Sequence, residues 1–299
     1  MSDGPWIWAA FTVAAAAAQT ARNAAQRQLT RTLGTVGATH VRFLYGLPFA
    51  LVFLAGIVLV TGTVPPRPPA VFFLFVTSGA LTQIGATAMM LAAMGERSFL
   101  AVIAYTKTEP VQVALFGLLV LGDTVTLPMA AAIAIATAGV VLMSVKPGQA
   151  GGGGGMRPML LGLGSAALFA LSAIGFRGAI LSLGADFLTA ATTTLCVGLT
   201  IQAVLLSLYL ALRDRAVMVA VLRAWRPSLV AGFMGALASQ FWFLSFALTS
   251  AANVRTLALV EVLFAQAVSR FAFKQRTTVR ELLGIALIVG GVVLLLWGQ

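Results

Sequence analysis

Lys107, Glu109 and Glu261 are ionisable residues embedded in long apolar runs of this chain. Counting about 1.5 Å per residue from the ends of those runs puts all three near mid-depth of a helix long enough to cross a bilayer. A charge at that depth is costly and faces a water-filled path, a partner charge or a bound solute. These residues could hold the charged group of a substrate, couple its movement to protons, or lock helices in a network such as Lys107 to Glu261. Lys107 and Glu109 are two positions apart, roughly 200° around a helix, which predicts that they do not face one cavity. Pro110 follows directly. It lacks an N–H and leaves the Thr106 carbonyl without its helical partner, so a hinge is expected there.

Other polar residues recur at helical spacing. Thr12, Gln19, Arg22-Asn23 and Gln26 form one stripe, which must face the protein interior rather than lipid. Gln19 and Arg22 are expected to line a vestibule, although Arg22 could instead snorkel to the headgroups. Arg255, grouped with them, and Arg177 lie nearer the ends of their runs. Both are expected towards the outer side, where either could capture a carboxylate or anchor a helix. The faces Gln83, Thr87, Met90, Met94 and Gly235, Ser239, Trp242, Phe246 share a spacing of 4, 3 and 4. Turned towards one axis, they would give a methionine wall opposite an aromatic one, suited to a bulky apolar or aromatic group. Tyr105, Gln83 and Gln240 would be its polar handles. Such stripes also serve plain packing.

These residues need elements that hold them in lipid. Apolar residues make up 60% of the 299-residue chain and charged ones 9%, with a mean hydropathy of +1.00; soluble domains carry roughly 25% charged residues. Breakers and charges divide the sequence into ten apolar spans: 6–26, 38–61, 70–94, 98–121, 125–145, 158–182, 186–211, 227–249, 252–273 and 279–298, each near the roughly 20 residues that cross a bilayer. Loops after odd-numbered spans hold Arg27, Arg31, Arg97, Lys146, Arg157, Arg213, Arg215, Arg223, Arg226, Lys274, Arg276 and Arg280, against Arg67 in the others. That bias marks the cytoplasmic side and predicts both termini on the opposite side. It also accounts for the net charge of +11 as a topology belt, with no nucleic-acid partner. Met1–Pro5 lacks a basic n-region, so no cleavable signal is expected.

The chain also repeats. A shift of 152 residues aligns Glu109 with Glu261, Ile133 with Ile285, Gly139 with Gly291, and Val140-Val141-Leu142 with Val292-Val293-Leu294; a shift of 155 aligns Arg22 with Arg177. The units are a first five-helix repeat over 1–147, a Gly-rich cytoplasmic linker over 148–156 containing Gly151–Gly155, and a second repeat over 157–299. Five is odd, so the second copy is inverted. The expected fold class is an all-α integral membrane protein of ten transmembrane helices in two inverted repeats, an arrangement found in secondary transporters. Ala130–Ala138 and Gly284–Gly291 are rich in small residues and read as close-packed scaffold within a monomer.

Against this background the chain resembles the drug/metabolite transporter superfamily and its EamA-type ten-helix exporters. The residues carrying the likeness are Glu109-Pro110, Leu121-Gly122-Asp123, Ala138-Gly139-Val140-Val141-Leu142 and Gly284–Val292. In that pattern an acidic residue follows Gly at the end of the fourth span. The second half departs from it, with Lys274-Gln275 there and Val262 in place of Pro. Phe241-Trp242-Phe243 and the stretch from Val254-Arg255 to Glu261 are most similar to aromatic amino acid exporters. The resemblance implies export of aromatic and other neutral amino acids across the inner (plasma) membrane, by alternating access around a midplane cavity. Proton-coupled export of hydrophobic cations is the alternative. The expected substrate-binding residues are Gln83, Met90, Tyr105, Lys107, Ser239, Gln240 and Trp242, with Glu109 and Glu261 coupling or locking. No cofactor is implied. A single histidine (His40) and a single cysteine (Cys196) exclude a multi-histidine or thiolate metal site, and an intramembrane enzyme finds no catalytic set.

Overall fold

The computed structural model of the chain describes residues 6–96, 102, 105–144, 156–264 and 279–297. The Gly151–Gly155 linker, Arg97, Lys146, Lys274-Gln275 and Arg276 lie outside the described residues. All regular structure among those described is helical: α1 Ile7–Leu44, α2 Leu47–Thr61, α3 Ala70–Glu96, α4 Glu109–Phe116 with a π turn over Gly117–Leu121, α5 Leu127–Ser144, α6 Met156–Ser182, α7 Phe187–Arg213, α8 Arg215–Arg223, α9 Trp225–Leu248, α10 Ala251–Leu257 with a 3-10 turn over Ala258–Val260, and α11 Val279–Trp297. Five stretches are long and apolar enough to cross a membrane: Ile7–Thr61 (α1 with α2), α3, α6, α7 and α9. Shorter apolar helices cover Glu109–Leu121, Leu127–Leu142 and Leu282–Trp297.

The helix ends follow local chemistry. Asp186, Asp214 and Ser250 cap α7, α8 and α10 by accepting hydrogen bonds from first-turn N–H groups. The segment over 27–37, expected as a loop, is helical because it holds good helix formers and no breaker before Gly34. There the chain turns through φ +67°, a conformation glycine adopts without steric cost. The loop expected between the seventh and eighth spans likewise contains α8, nine residues with Val221 buried and arginines at both ends.

Packing is inside-out relative to a soluble protein. Leu59, Val60, Leu119, Leu127 and Trp297 are exposed, whereas Thr12, Gln26, Thr192, Thr194, Ser228 and Ser245 are fully buried. Lipid can solvate the first set, and helix neighbours satisfy most of the second. Three helix pairs dominate: α3 with α6, α1 with α9, and α5 with α11. In the last pair a Cβ on Gly139 would fall 2.7 Å from the Gly284 carbonyl and 2.9 Å from the Ile288 nitrogen. One on Gly291 would fall 2.9 Å from the Ala132 carbonyl and 2.8 Å from the Ala136 nitrogen. Under the 152-residue shift Gly139 becomes Gly291, Ala132 becomes Gly284 and Ala136 becomes Ile288. The two contacts are therefore reciprocal.

Candidate functional site

The charged residues meet where α1, α3, α4, α9 and α10 converge. Their meeting depends on a break in helical structure: residues 105–106 are helical, Lys107 and Thr108 form a turn, and α4 starts at Glu109 with Pro110 in its first turn. The helical angle between Lys107 and Glu109 then no longer applies. Contrary to the expectation from a continuous helix, both residues line the same cavity.

Two ion pairs cross that cavity. The Lys107 ammonium contacts Glu261 Oε2, which also accepts a hydrogen bond from Gln19 Nε2 at 3.2 Å. Arg255 Nε lies 3.0 Å from Glu109 Oε1. Each glutamate is thus paired with a cation from the other side of the 148–156 segment, and the two glutamates align under the 152-residue shift. The pairs differ in quality. Arg255 Nε and Glu109 Oε1 are close in distance yet lack an aligned hydrogen bond, so charge rather than directed bonding holds them. The Arg255 guanidinium is also spread over Trp242, at 4.6 Å from the ring centroid, and Phe246, at 5.3 Å. Trp242 Nε1 donates to Gln19 Oε1 at 3.1 Å, which ties the two pairs into one network.

Two further arginines complete the lining. Arg22 is 1% exposed and does not snorkel to the surface. Its Nε and Nη2 donate to the side-chain oxygen of Asn23 at 3.3 and 2.7 Å. Arg42, 2% exposed, donates from Nη1 to Thr87 Oγ1 at 3.1 Å and from Nη2 to Ser239 Oγ at 3.4 Å. Thr87 and Ser239 are equivalent under the 152-residue shift, so one guanidinium bridges matching hydroxyls of the two halves. Arg42 was not legible as a site residue, because it stands beside His40 at the expected mouth of the second span. The Gly34 break and the pair of hydroxyls at matching positions are the signals that could have found it.

The remaining expected residues divide. Gln83, Met90 and Trp242 line the cavity, together with Asn23, Thr106 and Phe169, and Pro110 is buried at the helix break. Arg255, expected towards the outer side, sits in the cavity instead, because the short helix α10 ends close to Glu109. Ser239 contributes through Arg42. Tyr105 stands outside the cavity, packed against α6 at Gly162, where a Cβ would approach its own at 2.6 Å. Gln240 also lies outside, donating to Thr192 Oγ1 at 2.7 Å. Neither lines the cavity.

The cavity is small, about 20 Å³, room for about one water molecule. A second recess, about 330 Å³, opens beside Asp123, Thr126, Thr249, Ser250 and Asn253. Arg177 closes its edge, bonding Asp123 Oδ1 at 2.8 Å and the Thr249 carbonyl at 3.0 Å. No cluster of three or more potential metal ligands exists among the described residues.

Comparison with known proteins agrees with this picture. Residues 156–297 match the model of the EamA-like transporter family, which points to a multi-pass membrane transporter of the drug/metabolite type rather than an enzyme. A protein known from a crystal structure is similar in fold, with a TM-score of 0.70 at 16% sequence identity over 96% of this chain and 94% of its own. No curated protein matches the sequence significantly.

Proposed function

We propose that the protein is a secondary transporter exporting amino acids across the inner (plasma) membrane by alternating access around the cavity of Lys107, Glu109, Arg255 and Glu261. The observation carrying this reading is the crossed pairing of two equivalent glutamates across a cavity too small for a solute. A zwitterion offers replacements for both kinds of charge. Its carboxylate competes for a cation of the cavity and its ammonium for Glu109 or Glu261, so parting the internal pairs is offset by forming new ones. Binding then favours the open arrangement over the closed one.

The architecture we propose is ten helices in two inverted five-helix repeats, 1–147 and 157–299, joined by the linker over 148–156. The reciprocal α5–α11 contacts and the Thr87–Ser239 bridge support it. Pro110 serves as the hinge, both termini face away from the cytoplasm, and the monomer is the working unit. Export direction rests on the resemblance. So does a preference for aromatic and other neutral amino acids, to which Met90, Phe169 and Trp242 add an apolar wall. Against that preference, Arg255 already covers the Trp242 ring.

Exchange of hydrophobic cations for protons at Glu109 or Glu261 is the weaker reading. Each carboxylate is already held by a cation of the chain, and Arg22 and Arg42 would repel a cationic solute. Counterflow in proteoliposomes with labelled amino acids and one hydrophobic cation separates the two. Amino acid uptake that is lost in Lys107→Ala supports the proposal; uptake of the cation alone overturns it.

A further inference from the structure

The cavity is lined by four cationic side chains, Arg22, Arg42, Lys107 and Arg255, and by two carboxylates, Glu109 and Glu261. Lys107 and Arg255 are neutralised by the glutamates. Arg22 and Arg42 form no ion pair among the described residues, although the Glu261 charge, already committed to Lys107, also acts on Arg22. Each is oriented by neutral acceptors: the Asn23 amide oxygen for Arg22, and the Thr87 and Ser239 hydroxyls for Arg42. Each also keeps one N–H group buried without an acceptor among the described residues, at Arg22 Nη1 and Arg42 Nε.

The two side chains lie side by side over Gly235. A Cβ at that position would stand 3.1 Å from Arg42 Cγ and 3.4 Å from Arg22 Cδ, so the missing side chain makes room for both stems. Two like charges packed together in a low-dielectric interior are strongly unfavourable unless an anion joins them. The directed hydroxyls and amide fix the pair in place without removing its charge. That arrangement suits a bound acid.

We propose that Arg22 and Arg42 form an anion subsite, and that the solute this transporter carries is a small organic di-acid with net negative charge, a class that includes the acidic amino acids. This rests on the transporter reading and keeps its site, but it replaces the preference for neutral amino acids, which came from the resemblance, with a preference for acidic ones. A neutral zwitterion would leave both surplus charges in the cavity uncompensated. A di-acid supplies one acid group for each. The Lys107–Glu261 and Arg255–Glu109 pairs line the same cavity, where an ammonium group on the di-acid would find a carboxylate.

The test uses purified full-length protein, with binding read by ligand-induced thermal shift and transport by counterflow in liposomes. Glutamate and malate are compared with phenylalanine, leucine, a hydrophobic cation, chloride and inorganic phosphate. Di-acids are expected to bind at least about tenfold more tightly than the neutral amino acids, the scale of one charge-assisted hydrogen bond. Arg22→Gln and Arg42→Gln should each erase that advantage. Asn23→Asp is the decisive variant, because it sets a carboxylate of the chain against Arg22. It should lower affinity for di-acids and raise the relative preference for mono-acids, a reversal that a purely structural role for Asn23 does not produce. Neutral amino acids binding as tightly as di-acids on the unaltered chain would overturn the subsite, whatever the variants do. Protection by chloride or phosphate equal to that by di-acids would also overturn it, assigning the arginines to an inorganic ion. Movement of no solute of any class would instead sink the transporter reading itself.

Discussion

Glu109 and Glu261 occupy equivalent positions in the two halves, and each reaches a cation of the other half, yet their locks are built differently. Glu261 is held by an ammonium point charge and by Gln19, both on the same oxygen. Glu109 faces a guanidinium that is close but not aligned with it, and whose charge is shared with two aromatic rings. A lysine deprived of its carboxylate has few other comforts in an apolar interior, whereas Arg255 keeps the faces of Trp242 and Phe246. Two positions aligned by the 152-residue shift thus hold one firm latch and one yielding latch. In the alternating-access cycle we propose, the weaker pair is the one expected to part first.

Removing the firm latch should produce the largest effect. Lys107→Ala leaves Glu261 buried with Gln19 as its remaining donor, and breaking a buried pair in this way costs about 3–5 kcal/mol. Thermal unfolding in detergent should show the loss. The double variant Lys107→Ala/Glu261→Gln should recover part of it, because the uncompensated charge is gone; no recovery would mean that Lys107 acts through packing rather than through the pair. The mirror experiment at the yielding latch, Glu109→Gln, should cost less, about 1–3 kcal/mol, since Arg255 retains cation–π contacts. Equal losses at the two sites would erase the distinction between them.

How far this asymmetry was legible in the sequence depends on the element. The α5–α11 seam was readable, since Ala130–Ala138 and Gly284–Gly291 carry few side chains large enough to keep backbones apart. Depth and charge singled out Lys107, Glu109 and Glu261, because charged residues in apolar runs are rare. Their directions were not readable. A helical wheel assumes an unbroken helix, and the turn at Lys107-Thr108 cancels that assumption two residues before Glu109. Pro110 announced a hinge but not the rotation that follows. Arg42 was missed and Arg255 misplaced for a related reason: depth counted along a straight span fails where the span begins after a break, as at Gly34, or is short, as α10 is. Tyr105 and Gln240 fall outside the cavity lining because a polar residue on a plausible face can equally satisfy a neighbour, as Gln240 does for Thr192.

A third carboxylate tests whether distance from the cavity matters. Asp123 pairs with Arg177 at 2.8 Å, and that arginine also bonds the Thr249 carbonyl. Both side chains remain partly accessible, so water can take over some of the lost interaction. Asp123→Asn is expected to lower stability by about 1–2 kcal/mol, less than Lys107→Ala. If the Arg177 pair narrows the edge of the recess that Ser250 lines, the same variant should raise the labelling rate of a cysteine placed at Ser250. An unchanged rate would limit the pair to a structural role.

The smallest effect belongs to a carboxylate that pairs with no cation among the described residues. Asp186 caps α7 by accepting hydrogen bonds from the Leu188 and Thr189 N–H groups at 3.1 and 3.0 Å. Its slight burial alone would raise its pKa, but hydrogen bonds from the Thr189 hydroxyl and N–H and from the Leu188 N–H outweigh that and hold it below the ordinary 3.8. A carboxyl whose folded pKa lies below its unfolded value stabilises the fold above that unfolded value. The contribution disappears as pH falls through the folded pKa. Asp186→Ala should therefore cost about 1 kcal/mol at neutral pH, and the difference from the unaltered protein should shrink as the medium is acidified below about pH 4. A gap that stays constant on acidification would show that the side chain acts by shape and not by charge. The same titration should leave the penalty of Asp186→Asn smaller than that of alanine throughout, because an amide oxygen still accepts from the helix N–H groups.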